Sequence, residues 1–235
     1  MNEQKDFPAL RDWFFSLQGQ DVGHAFTREL HAAQIVDGGQ CLLQLGDCGE
    51  NIWLDALSYR AKWIADSIVL PHKNSIQSLL TTMPFDRDSM DCIIAPLAIE
   101  IYGRDLNFLD EIDRILKPMG YLIILGINPW SFWGISLRWG RLSKFGRALS
   151  TFSSSLSIKH AMVARGYRQC WLSNFYYLPP VKSEYYLRKL EFLNQMSKMI
   201  WPYPAGFYCL ILQKYDPCMT VLPRTARNEW RLIEI

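Results

Sequence analysis

The chain has 235 residues, 49% of them hydrophobic, 14% aromatic and 20% charged, with a formal net charge of +2. That length suits one α/β domain with an elaboration, or two small domains, and the hydrophobic share argues against a disordered chain. Near-neutral charge argues against a nucleic-acid partner, no run approaches the roughly 18 apolar residues of a membrane span, and the polar start carries no apolar signal segment, so a cytoplasmic location is expected.

Apolar residues at helical spacing predict two N-terminal helices, over 7–18 (Phe7, Leu10, Trp13, Phe14, Leu17) and 21–36 (Phe26, Leu30, Ala33). His24 and His31 fall there and read as surface or core residues rather than catalytic ones. Asp37-Gly38-Gly39 is a turn. Cys41–Leu45 then forms a short apolar strand that runs into Gly46 and Gly49, and the spacing after Glu50 predicts a helix over 51–59. Strand, glycine turn and helix let a backbone approach a nucleotide-like ligand at a helix N-terminus. A purely structural turn is the alternative, because the full G-x-G-x-x-G is missing. Asp66 ends the next apolar run, Trp63–Ala65. An acid at the tip of a second strand is where a ribose hydroxyl pair is held.

Pro71–Asn74 reads as a loop, Ser75–Leu80 as a short strand, and Asp91–Pro96 as a buried parallel strand. An amphipathic helix over 105–116 is stopped by Lys117-Pro118-Met119-Gly120, and Tyr121–Ile127 is the clearest strand in the chain. This alternation predicts a doubly wound, mostly parallel sheet with helices on both faces. Ser157–Arg165 is a further helix, with strands at Tyr167–Trp171 and Phe207–Tyr215. Three parts are expected: N-terminal helices over 1–36, a main domain over 37–215 with a flap at 130–156 and a helical insertion at 174–206, and a tail over 216–235. Six cysteines include no C-x-x-C pair, and those in or beside apolar runs read as buried reduced thiols. No metal-ligand spacing occurs.

Three segments carry a family resemblance. Leu42-Leu43-Gln44-Leu45-Gly46, Met83-Pro84-Phe85-Asp86-Arg87-Asp88-Ser89-Met90-Asp91, and the block from Asp110 through Leu116-Lys117-Pro118-Met119-Gly120 to Ile124 resemble class I S-adenosylmethionine-dependent methyltransferases of the type 11 group. Gly126-Ile127-Asn128-Pro129-Trp130-Ser131 is similar to a proteobacterial sub-branch with a G-[FI]-N-P-W-S motif after strand five. The resemblance implies a seven-stranded Rossmann-like sheet and S-adenosylmethionine as cofactor, bound by Gln44, Gly46, Asp47, Gly49, Asp66, Met83 and Pro96. The sequence also departs from the family. Gln44 stands in place of the acid that ends strand one, Cys48 and Glu50 in place of the second and third glycines, Leu79 in place of the adenine-side Asp, and Leu97 in place of a common His. A Cβ where glycine is usual narrows the approach to a ligand.

The methyl acceptor, expected to be a small molecule, would lie over the ends of strands four and five. Glu100, Tyr102 and Asn128 are the candidate catalytic residues there, with Asp105 also in reach. Against this, Glu100 reads equally as a helix-capping or solvated residue and Asn128-Pro129 as a strand-ending turn. His72 and His160 are bases that no spacing singles out. The aromatic and basic segment 130–147 reads either as a flap over the acceptor or as an amphipathic helix with its Trp and Phe packed on the sheet. The expected function is methyl transfer from S-adenosylmethionine. The alternative is a catalytically inactive binding or scaffold protein of the same fold, and a nicotinamide oxidoreductase lacks its glycine fingerprint.

Overall fold

Short apolar runs such as Cys92–Ala95, Leu122–Leu125 and Cys209–Leu212 form strand segments buried on both faces. The chain pairs them into one seven-stranded sheet. In the computed structural model, which describes residues 7–34, 38–68, 74–102, 106–139, 154–181, 185, 189 and 204–215, the strands are β1 (Gly39–Leu45), β2 (Tyr59–Asp66), β3 (Ser75–Gln77), β4 (Met90–Pro96), β5 (Leu116–Ile127), β6 (Tyr167–Phe175) and β7 (Phe207–Lys214). Their order is β3-β2-β1-β4-β5-β7-β6. β1 to β5 pair in parallel, and β7 runs antiparallel between β5 and β6. Leu43 pairs with Trp63 on one side and Ile93 on the other. The order reverses at β1 and β4, so the ends of these two strands frame the crevice in which open parallel sheets bind ligands. The expected sheet is the observed one.

Two helices precede the sheet, α1 (Phe7–Phe14) and α2 (Leu17–Ala33). Ser16 separates them: its hydroxyl accepts from Gly19 N and caps α2. Gly19 therefore lies inside the second helix, where a Cβ would run into the backbone of Trp13 and Phe14. The sequence had suggested that the two helices divide further along, near this glycine.

The helix expected over 51–59 is not formed. Ile52–Leu54 makes a single 3-10 turn, Lys62 Nζ donates to Leu54 O at 2.7 Å, and β2 begins at Tyr59. Asn51 takes a left-handed conformation, φ 49°, so it cannot open an α-helix. α2 packs on this turn instead, with Phe26 edge-on to Trp53 at 5.4 Å. The N-terminal helix covers part of the surface that a crossover helix after β1 would occupy.

Of the later helices, α3 (Ala98–Tyr102) was not expected, α4 (Leu106–Ile115) and α6 (Ser155–Val163) lie close to expected helices, and α5 (Phe132–Arg138) falls in the segment read as flap or helix. The third strand is shorter than the expected 75–80. The Lys117–Gly120 turn belongs to the irregular start of β5, where the pairing with β4 shifts register and Met119 has φ 65°. The middle of the flap, most of the 174–206 insertion, the 216–235 tail, His72 and Asp105 lie outside the described residues.

Candidate functional site

The turn after β1 is tight. Gly46 (φ 85°) and Gly49 (φ 74°) both sit in the left-handed region, where a Cβ is strained. The turn is also buried, with Asp47 and Cys48 each 1% exposed. Its polar groups bond to one another and to neighbouring strands. Gly46 N donates to Ala65 O at 2.8 Å. Gln44 Nε2 donates to Gly46 O and Asn51 Oδ1, while Gln44 Oε1 accepts from Trp53 Nε1 at 2.9 Å. Asn51 accepts from Cys48 N at 3.0 Å and donates to Asp47 Oδ1 and Gly49 O. Asn51 thus organises the turn and was not singled out from the sequence. Its signal is that Asn tolerates the left-handed region and hydrogen-bonds its own backbone.

Asp66 lies where the sequence put it, at the tip of β2 beside the turn. Its Oδ2 accepts from Asp47 N at 2.8 Å, and its Oδ1 accepts from Ile68 N at 3.2 Å and Ser67 Oγ at 3.3 Å. Burial raises its pKa, opposed by the hydrogen bonds from backbone N–H groups. Asp66, Gly46 and Asp47 are therefore brought together.

Pro96 ends β4 opposite the turn. Cys48 Sγ lies 3.9 Å from Pro96 O, so the side chain that replaces a glycine spans the crevice between β1 and β4. Burial pushes the Cys48 thiol well up, and Asp47 and Asp66 add to this, so it is a neutral group here. From above, α1 closes on the same turn. Arg11 Nε lies 3.3 Å from Asp47 Oδ2, and a Cβ on Gly49 would meet Phe14 Cβ at 3.3 Å. Neither Arg11 nor Phe14 was visible as a site residue, since nothing local marks a helix thirty residues upstream as a lid on a turn. A shallow surface cleft, far smaller than a cofactor, adjoins the turn on its α2 side, lined by Phe14, Gly23, His24, Cys48 and Trp53 among others; neither Asp66 nor Asn128 lines it.

Met83 is buried, but its contacts are structural: its N–H donates to Glu111 Oε1 at 2.6 Å. Arg114 pairs with Glu111 and donates to Phe85 O at 2.8 Å and Met83 O at 3.0 Å. The hydrogen bonds from Arg114 hold the Glu111 carboxyl below the usual range. Arg114→Ala removes this clamp and strands a mostly buried carboxylate. We expect a loss of about 2 kcal/mol in urea unfolding; unchanged stability would show that the clamp carries no energy. Leu79, at the adenine-side position, is 49% exposed.

On the acceptor side, Glu100 is fully buried on α3. Its Oε1 accepts from Ile127 N at 2.8 Å, and its Oε2 has no hydrogen-bond partner. Burial raises its pKa to about 7 against the Ile127 N–H, which lowers it. Tyr102 stacks on Phe108 at 4.7 Å. Asn128 serves its own turn: Oδ1 accepts from Trp130 N at 3.1 Å, and its carbonyl accepts from Ser131 Oγ at 2.7 Å. The two flap tryptophans part company. Trp133 is buried, donates to Leu178 O at 2.8 Å, and packs edge-on to Trp13 of α1 at 5.5 Å, whereas Trp130 is 74% exposed. No cluster of metal-ligating side chains occurs among the described residues.

Comparisons with known proteins fit this architecture. Residues 49–124, from the glycine turn through most of β5, match the model of a methyltransferase domain, type 11. No curated protein sequence matches the chain. Among solved structures, the protein that forms a complex with the Trm112 methyltransferase activator of Haloferax volcanii is similar at 17% identity and TM-score 0.60, over 90% of this chain and 99% of that one. A SAM-dependent methyltransferase from Archaeoglobus fulgidus is similar at 16% identity and TM-score 0.56, over 83% and 94%. One from Mesorhizobium loti is similar at 12% and 0.55, over 79% and 96%. S-adenosylmethionine is the cofactor to which this domain match points. The chain has the fold of the S-adenosylmethionine-dependent methyltransferases, with a methyltransferase-domain match that reaches from its glycine turn into β5.

Proposed function

We propose that this protein is an S-adenosylmethionine-dependent methyltransferase for a small-molecule acceptor, with Asp66 and the Gly46–Gly49 turn at the cofactor and the ends of β4 and β5 at the acceptor. The observation that carries the reading is Asp66, a buried carboxylate at the tip of β2 bonded to Asp47 N of the glycine turn. When bound, S-adenosylmethionine supplies a methyl group on a sulfonium, so in-line positioning provides much of the rate. Gln44, Gly46, Asp47, Gly49, Met83 and Pro96 are proposed around the cofactor. Glu100, Tyr102 and Asn128 are proposed on the acceptor side. Glu100 suits an acceptor that must lose a proton, because a carboxyl with a pKa of about 7 takes and returns one near neutrality. Five described cysteines are all unpaired, which agrees with a reducing, cytoplasmic setting.

By position the residues suit this cofactor at one end only. Asp66 stands beside the glycine turn, where a ribose is proposed. It is 1% exposed, and its carboxylate already accepts from Asp47 N, Ile68 N and Ser67 Oγ, bonds that a ribose must displace. At the amino-acid end, Cys48 Sγ against Pro96 O and Arg11 against Asp47 occupy the crevice as arranged. Binding therefore requires Cys48 and α1 to give way. The same self-satisfied turn favours a second reading, a non-catalytic module that keeps the fold. Calorimetry with S-adenosylhomocysteine separates the two. We expect weak binding by the natural protein, roughly tenfold tighter binding by Cys48→Gly, and a ten- to hundredfold loss in Asp66→Ala. If neither the natural protein nor Cys48→Gly binds, the non-catalytic reading holds.

A further inference from the structure

A line of four buried aromatic side chains runs from the glycine turn to α5. Trp53 donates its indole N–H to Gln44 Oε1 beside the turn, and Phe14 lies 5.4 Å from Trp53. Trp13 lies 4.8 Å from Phe14, and Trp133 of α5 lies 5.5 Å from Trp13. At the far end Trp133 donates its own N–H to Leu178 O at 2.8 Å. All four rings are buried, and the middle two belong to α1, so one helix touches both the turn and α5.

α1 is a separable unit. Ser16 divides it from α2, and Phe15 at the joint is 48% exposed. On the turn it rests through Arg11 against Asp47 and Phe14 against Gly49, and the Arg11 side chain is 30% exposed, so water reaches that ion pair. Close-packed rings do not yield smoothly when one of them is displaced; they repack together. We propose that α1 is a lever that couples the glycine turn to α5, so that a ligand lifting α1 from the turn also unseats Trp133. α5 follows directly on the turn that Asn128 organises, so unseating Trp133 loosens the end of β5. The coupling works in both directions, and a weaker seat at Trp133 makes binding at the turn tighter. The lever itself stands on these contacts. That the ligand is S-adenosylmethionine, with the acceptor side loosened in consequence, rests on the methyltransferase reading.

The test is hydrogen exchange of the Trp133 indole N–H, followed by NMR in the full chain, with the backbone N–H of Ile123 in the middle of β5 reporting global opening. Arg11→Ala frees α1 from the turn and leaves the four rings in place. It should speed exchange of the indole roughly tenfold and leave Ile123 as it was. Unchanged indole exchange, or equal acceleration at Ile123, would overturn the lever. A second variant reads it from the other end. Trp133→Phe should bind S-adenosylhomocysteine roughly fivefold tighter than the natural protein in calorimetry, and unchanged or weaker binding would overturn the lever while leaving the methyltransferase reading in place. If neither the natural protein nor Cys48→Gly binds S-adenosylhomocysteine, the methyltransferase reading falls and the exchange rates in Arg11→Ala decide the lever.

Discussion

Replacing Gly126 by alanine is expected to destabilise the protein by about 3 kcal/mol, or to prevent folding outright. Gly126 lies in β5 directly opposite Tyr208 of β7, and the tyrosine ring lies across it so closely that an added Cβ would fall inside the ring's van der Waals surface. Both residues are buried, one pair in from the Ile127–Phe207 end of the antiparallel ladder, so neither strand can yield without disturbing ladder hydrogen bonds. The arrangement also brings the tyrosine close enough to Glu100 for that carboxyl to raise its pKa, after burial, the larger cause. Chemical denaturation of Gly126→Ala, Tyr208→Ala and the double variant forms a complete cycle. Because Tyr208→Ala vacates the space that the new methyl needs, the double variant should lose clearly less stability than the two single losses combined. Additive losses would mean that the clash is relieved elsewhere.

The second large effect is a pH dependence centred on Glu100. Its folded pKa of about 7 lies above its ordinary value of 4.5, because burial penalises the ionised form. Below the ordinary value both folded and unfolded chains hold the proton, and the site costs nothing. As pH rises from 4.5 to 7 the unfolded chain ionises first, so the folded chain binds more protons and stability falls. Above that window the full penalty is present, on the order of 3 kcal/mol. Glu100→Gln keeps an oxygen for Ile127 N and cannot ionise. Its stability relative to the natural protein should therefore improve by about 3 kcal/mol between pH 4 and pH 8 in urea unfolding. A difference that stays flat across that range would mean that Glu100 is hydrated and ordinary. The same titration distinguishes its proposed role: a base for the acceptor should impose an ascending limb near neutrality on turnover, and a purely structural carboxyl should not.

The legible parts of this protein were those written in local pattern. β1, β4 and β5 were readable because apolar runs such as Cys92–Ala95 and Leu122–Leu125 serve as strands with both faces covered. Asp66 was placed correctly because strand length and turn spacing fix the tip of β2. The helix after Glu50 was misjudged because Ile52, Trp53 and Leu54 have helical spacing but are used to receive α2, which arrives from the other side of β1 in the sequence. Gln44, which stands where the resemblance has an acid, bonds Trp53 and Asn51 through its polar atoms, a tertiary fact with no local signature. Arg11, Glu111 and Arg114 were missed for the same reason: each acts on a segment from 28 to 36 positions away.

The position of α1 also bears on when the molecule becomes complete. Its Trp13 packs on Trp133 at 5.5 Å and on Phe207, in the last strand, at 6.2 Å. During synthesis α1 therefore has no finished seat until β7 has also been made, 193 residues after Phe14 at Phe207. β7 must also insert between β5 and β6, so the final pairing joins segments far apart in the chain. Contacts of such long range slow folding and leave apolar surface uncovered in the meantime. For this chain the uncovered surface includes Trp13, Phe14 and Phe26, and the glycine turn stays open until α1 settles. Birth order thus makes the rim of the sheet the last place to close, and the nascent protein passes through a stage in which that rim is accessible.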